Sequence, residues 1–351
     1  MMQKHNCKQT HSRYRFLLTL LLVSMLALSG CGTNQTIQET SQQEDGYTFT
    51  DAIGQEITVH NPQRVVSLMG SFSEIWILAG GADTLVGTSY DTVDNRDLGL
   101  PEDIAIVGTY QNPNIEEILA LNPDLVLLSS ETTRTDSHVA LKDALNGADI
   151  PAAYFSVTHF EDYLNMLKIC TDITGNQDAY QTNGIAVEER IAQIIADSKT
   201  ETSPSVLLMK WLSKQDFAKG VGKMKSLTIF TLMVRILIPV LSVPITGKML
   251  SELGCKNILD DYPSMLQDFS VEKIIETDPD YIFVIPMGND DALAQKNLKE
   301  NVESNPAWNS LTAVKNDRYI LLPKDKFLYK PNAVWDESYA YLAALLNEQA
   351  V

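Results

Sequence analysis

Apolar positions along this chain follow two alternating periods. In "RVVSL" (Arg64–Leu68), "DLVLLSS" (Asp124–Ser130) and "AAYFS" (Ala152–Ser156) they are consecutive. In the stretches near Arg134–Asn146 and Phe160–Thr174 they recur about every third or fourth residue, and "SEIWILAGG" (Ser73–Gly81) follows the first strand as a further helix. Short continuous apolar runs bounded by turn residues predict strands covered on both faces, and the longer period predicts helices. Strict alternation of the two, continued through "LVGTS" (Leu85–Ser89) and "IVGT" (Ile106–Thr109), predicts a parallel, doubly wound sheet.

The second half repeats the scheme with "SVLLMKW" (Ser205–Trp211), "TGKMLSELG" (Thr246–Gly254), "DYIFVIP" (Asp280–Pro286), a helix near Ala292–Glu303, "RYILLP" (Arg318–Pro323) and a closing helix near Ala333–Leu346. One unit recurs without a gap: "NIEEILALNPDLVLLSS" (Asn114–Ser130) returns as "SVEKIIETDPDYIFVIP" (Ser270–Pro286). Each copy reads as helix, turn and strand. Asn114 and Ser270 are good N-caps, which puts Glu116 and Glu272 in the first helical turn. Between the halves, Val187, Ile191, Ile194 and Ile195 in "YQTNGIAVEERIAQIIADSK" (Tyr180–Lys199) share one helical face. A helix of about twenty residues is about 30 Å long, enough to cross from one lobe to the other as a strut. The predicted fold is α/β: two Rossmann-like lobes (47–175 and 201–351) with mostly parallel sheets, joined by one long rigid helix (176–200).

The ends add a location. Lys4, Lys8, Arg13 and Arg15 precede "FLLTLLLVSMLAL" (Phe16–Leu28), an apolar run of signal-peptide length, and "LSGC" (Leu28–Cys31) resembles a bacterial lipobox. Residues 1–30 therefore read as a leader, Cys31 as the lipidated residue, and the polar stretch 31–46 as a flexible tether reaching roughly 20 Å. An extracytoplasmic, membrane-anchored protein follows. Of 351 residues, 44% are apolar and 21% charged, as in ordinary globular domains. The net charge is −18, and removal of the leader makes it more negative still. This argues against nucleic acid and toward a cationic or neutral ligand or a basic partner surface. Besides Cys31, the mature body holds Cys170 and Cys255, in different halves and best read as buried free thiols. His60, His138 and His159 lack metal-ligand spacing.

Together, "QRVVSL" (Gln63–Leu68), "SEIWILAGGADTLVG" (Ser73–Gly87), "NIEEILALNPDLVL" (Asn114–Leu127), the single connecting helix and "NPAWNSLTAVKNDRYILLPKD" (Asn305–Asp325) resemble the substrate-binding lipoproteins of bacterial iron-siderophore, haem and cobalamin ABC importers. The resemblance runs from about Tyr47 to Leu346. It implies a monomeric binding protein, not an enzyme. Such a protein has no cofactor of its own, takes an iron chelate, haem or a cobalamin as ligand, and has an ABC permease dimer with its ATPase as partner. It also implies that Glu116 and Glu272 dock onto arginines of the two permease subunits. A metal-dependent enzyme on the same scaffold would need a cluster of Cys, His or paired carboxylates, and no such motif occurs.

Ligands of open parallel sheets collect beyond the carboxyl ends of the strands, and two facing lobes make one cleft. The candidate lining residues are Met69, Ser71, Tyr90 and Tyr110 from the first lobe, and Lys210, Trp211, Met287, Lys326, Tyr329 and Trp335 from the second. "MGSF" (Met69–Phe72) leads into a helix start suited to an anionic group. Phe327, Tyr329 and Trp335 could stack on a macrocycle or catecholate, while Lys326 and Lys330 face its carboxylates. Met69, Tyr90 and Tyr110 also have the chemistry of axial haem ligands. Ordinary loop packing accounts equally well for any one of these residues. One stretch fits neither lobe: no acidic residue occurs between Asp216 and Glu252, and 217–245 is strongly apolar. It is expected to be an appended or poorly ordered insertion, or an out-of-frame segment.

Overall fold

Strands whose apolar residues are consecutive sit at the centre of two parallel sheets, because both faces of each strand are covered. The computed structural model describes residues 46–132, 136–198, 203–212, 244–261, 271–287 and 291–347. The leader, Cys31, the tether, Ser270 and the Trp211 side chain lie outside the described residues. So does 217–243, whereas Pro244 and Ile245 begin a helix and Ile245 packs on the core.

A short antiparallel ribbon, β1 (Tyr47–Thr50) and β2 (Glu56–Val59), precedes the first sheet. That sheet has the order β5-β4-β3-β6-β7, from β3 (Val65–Ser67), β4 (Leu85–Thr88), β5 (Ala105–Ile106), β6 (Leu125–Ser129) and β7 (Ala152–Phe155). All of its pairs are parallel. Its crossovers carry α1 (Gly70–Trp76), α2 (Tyr90–Asn95), α3 (Ile115–Ala120) and α4 (Asp136–Gly147). The amphipathic α5 (Phe160–Thr174) follows, stopped by Gly175 at φ 74°, a left-handed C-cap that glycine adopts without strain.

The connector begins at Asn176, whose side chain caps the Ala179 amide. It runs through Gln177–Tyr180, one π-helical turn (Gln181–Ile185) and α6 (Ala186–Asp197) without leaving helical geometry. The second sheet has the order β11-β10-β8-β9, from β8 (Ser205–Leu212), β9 (Lys256–Asn257), β10 (Tyr281–Met287) and β11 (Tyr319–Leu321), again parallel throughout. Its helices include α7 (Pro244–Glu252), α8 (Val271–Thr277), α9 (Asp291–Leu298) and α10 (Trp335–Asn347).

Side chains alternate faces along a strand, and the cores follow that period. Val66, Val126, Leu128 and Tyr154 pack under α3 and α4, while Leu207, Met209, Ile282 and Val284 form a separate core in the second lobe. The opposite faces, through Val65, Leu125 and Leu127 in one sheet and Val206, Leu208 and Phe283 in the other, belong to one core that also takes in Val187 and Ile191 of the connector. The lobes therefore share a packed seam rather than a hinge of bare chain.

The duplicated unit has a structural reason. Asn122 and Asp278 hold matching places in the two turns, with φ of 46° and 43°. Asn and Asp tolerate this left-handed geometry better than other side-chain-bearing residues. Two residues on, Asp124 accepts from the Gln63 and Arg64 amides at 2.7 and 2.9 Å. Asp280 likewise accepts from the Ser205 amide and hydroxyl at 2.8 and 2.7 Å. Each aspartate pins the start of the neighbouring strand, β3 or β8, so the same helix, turn and strand is locked into register once per lobe.

Candidate functional site

The carboxyl ends of the two sheets face each other, and several bonds join their loops. The Tyr329 hydroxyl donates to Asn95 Oδ1 at 2.9 Å, and Lys330 Nζ lies 3.6 Å from Met69 Sδ. Met69 and Ser71 follow β3, Tyr90 follows β4, Tyr110 follows β5, Lys210 lies near the end of β8 and Met287 ends β10. Tyr90 is 54% exposed, Met69, Tyr110, Lys210, Met287 and Tyr329 are half-buried, and Ser71 is buried. Seven of the ten lining candidates thus stand at or beside the facing edges; the Trp211 side chain is not described, and Lys326 and Trp335 are the exceptions.

Three expectations need correction. Trp335 is 1% exposed and packs against Phe160 and Tyr163, with ring centroids 5.7 and 6.0 Å away. It opens α10 facing the shared core, so it offers no face to a ligand. Lys326 reaches Glu337 of α10 at 2.7 Å, so its charge already has an internal partner. The helix start at Gly70 already has its anion: Asp91 Oδ2 accepts from the Gly70 amide at 2.8 Å. An internal carboxylate thus occupies the favourable end of α1.

The facing loops carry more basic charge than the net charge implied. Lys210 and Lys330 make no ion pair within 4 Å among the described residues, and both amines are pushed down, chiefly by burial; Glu131 opposes this in each. Lys330 also lies 5.7 Å from the centroid of the Phe72 ring. Near neighbours dominate the local field because distant surface charges are screened within roughly 8–10 Å. Burial likewise raises the Tyr110 hydroxyl, with Asp91 and Glu131 adding to it.

His138 braces this edge. It is 1% exposed, its Nε2–H donates to the Tyr110 carbonyl at 2.7 Å, and Nδ1 lies 3.1 Å from the Thr132 hydroxyl. Burial holds its pKa below 6.5. The unfolded chain therefore takes up a proton at a higher pH than the folded one. The stability from neutral His138 is present above the ordinary histidine pKa and is lost as pH falls below it. The melting temperature should decline between about pH 7 and pH 5, and less steeply in His138→Gln. Equal slopes by scanning calorimetry would refute this.

Sequence reasoning singled out none of Glu74, Arg96, Asn332 or Glu131 individually. Their signal is charge or amide within otherwise apolar or loop segments, and only contacts across the lobes give it meaning. No group of three or more His, Cys, Asp or Glu among the described residues could hold a metal ion. Cys170 and Cys255 are free and buried; burial raises both thiols, Cys255 to about 12. A groove of about 620 Å³ lined by Lys299, Glu303, Trp308 and Tyr319 opens beside the amino end of β11, the end opposite the facing loops. No described helix is long and apolar enough to cross a membrane.

The model of a family described as periplasmic binding protein matches residues 65–326. The uncharacterized ABC transporter substrate-binding lipoprotein YvrC of Bacillus subtilis is 24% identical over 309 residues, covering 85% of this chain and 86% of that one. The Fe(3+)-citrate-binding protein YfmC of the same organism is 24% identical over 308 residues, covering 86% of each. The periplasmic heme-binding protein RhuT from Roseiflexus sp. RS-1 superposes with a TM-score of 0.58 at 17% identity, covering 82% of this chain and 99% of that one.

Proposed function

This chain belongs to the periplasmic binding protein family, and on that premise we propose that it is the substrate-binding subunit of an ABC importer. It is held outside the cytoplasm by a lipid on Cys31, and it captures an anionic iron chelate between its lobes. Capture and delivery make and break no bond, so the chain acts by shape and charge alone.

The observation that carries this reading is the pair of amines Lys210 and Lys330, which are partly withdrawn from water without an ion-pair partner among the described residues. Burying a charge is costly unless an opposite charge meets it. A chelate bearing carboxylates, such as ferric citrate or the propionates of haem, supplies that charge; a corrinoid without carboxylates does not. The resemblance of the chain to an iron-citrate-binding protein points the same way. Around the amines, Met69, Tyr110 and Tyr329 offer a thioether and two phenols for the apolar and hydroxyl-bearing parts of the chelate.

Calorimetric titration with ferric citrate, haem and cyanocobalamin tests the reading. An anionic chelate should bind, and Lys210→Met and Lys330→Met should each weaken it by roughly 1.5–3 kcal/mol, about 10- to 150-fold. Binding should draw protons from the buffer at alkaline pH, because the anion restores the charge that burial suppresses. Tight binding of cyanocobalamin alone, or unchanged affinity in both variants, would overturn it.

A further inference from the structure

The segment from Tyr329 to Asn332 lies in the second lobe, yet its polar groups bond mainly to the first. Asn332 is wholly buried and stands at φ 51°, a left-handed conformation that persists only where its surroundings enforce it. Its Nδ2 donates to the Ser71 carbonyl at 3.0 Å and to Glu74 Oε2 at 2.7 Å. Arg96 pairs with the same Glu74 oxygen, and its Nη2 donates to the Lys330 carbonyl at 3.0 Å. One carboxylate oxygen of α1 thus gathers a donor from each lobe, and the guanidinium that flanks it reaches across as well. Tyr329 adds its bond to Asn95 in the same place.

We propose that Glu74, Arg96 and Asn332 are positioning residues forming a polar clasp, which fixes the two lobes against each other and holds the Lys330 amine beside Met69 before any ligand arrives. The connector attaches the lobes on one side, where α6 and α10 share the core and Arg190 meets Asp336 across 2.5 Å. An attachment along one line leaves a rocking motion. The clasp is a second attachment at the cleft edge and removes it. Charge-assisted bonds suit that task, since they are stronger and more directional than neutral ones.

The test needs no ligand, so it stands apart from the identity of the cargo. Spin labels at Val139 on α4, an exposed position, and Gln295 on α9 report the distance between lobes by pulsed electron resonance. The intact protein should give one narrow distribution. Asn332→Gly keeps the left-handed backbone available and removes both side-chain donors; it should make the distribution about twofold wider. Glu74→Gln, which preserves size and shape, should widen it less, and it provides the same test if the glycine variant does not fold. Circular dichroism should show unchanged helix content in both. Distributions as narrow as that of the intact protein in the folded variants would overturn the proposal.

Discussion

Uptake should be lost in a protein carrying Glu116→Ala and Glu272→Ala together, while ligand affinity and melting temperature stay nearly unchanged. Both residues are exposed in the first turns of α3 and α8, and these helices are the two copies of the duplicated unit. Asp124 and Asp280 lock each unit to the first strand of its lobe's sheet. The two carboxylates are therefore held at equivalent places on two rigid lobes. That arrangement suits a partner made of two similar subunits. Interfacial carboxylate–guanidinium pairs fix orientation through bidentate geometry, and truncating one partner of a buried pair costs 2–5 kcal/mol or more. Losing two should weaken docking by roughly a thousandfold or beyond. As helix-start residues alone they would contribute only about 0.3–1 kcal/mol each to stability. Glu117 is a poorer candidate, because Lys273 holds the matching place in the second copy. Uptake of radiolabelled ferric citrate by cells carrying the double variant decides the matter. Transport at the wild-type rate would leave these residues with a local helical role only.

Trp335→Ala should destabilise the fold by about 3–5 kcal/mol, a large share of the 5–15 kcal/mol by which domains are stable. The indole is 1% exposed and meets Phe160 at 69° and Tyr163 at 37°. Those rings belong to α5 of the first lobe, whereas Trp335 begins the last helix of the second. Tyr339 and Leu342 continue the same contact surface along α10, against a core that includes Val187 and Ile191. Removing the indole thus opens a cavity in the seam that joins the lobes, and the neighbours can collapse into it only by moving one lobe. Trp335→Phe should cost less, because most of the aromatic volume remains. Urea unfolding reads both effects. Were Trp335→Ala instead to lose ligand affinity with a midpoint close to wild type, the stacking role suggested by its neighbours in "KDKFLYKPNAVW" would be restored.

That tryptophan marks the boundary between what the chain's pattern reveals and what it conceals. The runs around Val66, Leu127, Leu208 and Phe283 could be read as strands because a fully covered strand has no polar residue to interrupt it. The connector was legible from the spacing of Val187 and Ile191, and the two lobes from the repeat at Asn114 and Ser270. These are local properties, carried by residues close in sequence and enforced by helix and strand periodicity. Which loops share the carboxyl end of each sheet was also legible, since the direction of a parallel strand determines which end its loop occupies. Which loop side chains turn toward a ligand was not legible. Trp335 and Tyr329 lie in one short segment with similar chemistry, yet one enters the core and the other reaches Asn95. The net charge of −18 likewise gave no sign of two half-buried amines among the facing loops, nor did the anion-friendly start of α1 show that Asp91 already occupies it. By itself the sequence determined the elements, their duplication and which loops gather at the carboxyl end of each sheet. Only the tertiary structure decided which polar groups pair across the lobes, as Glu74 does with Asn332, because those partners lie hundreds of residues apart and meet only when the lobes are packed.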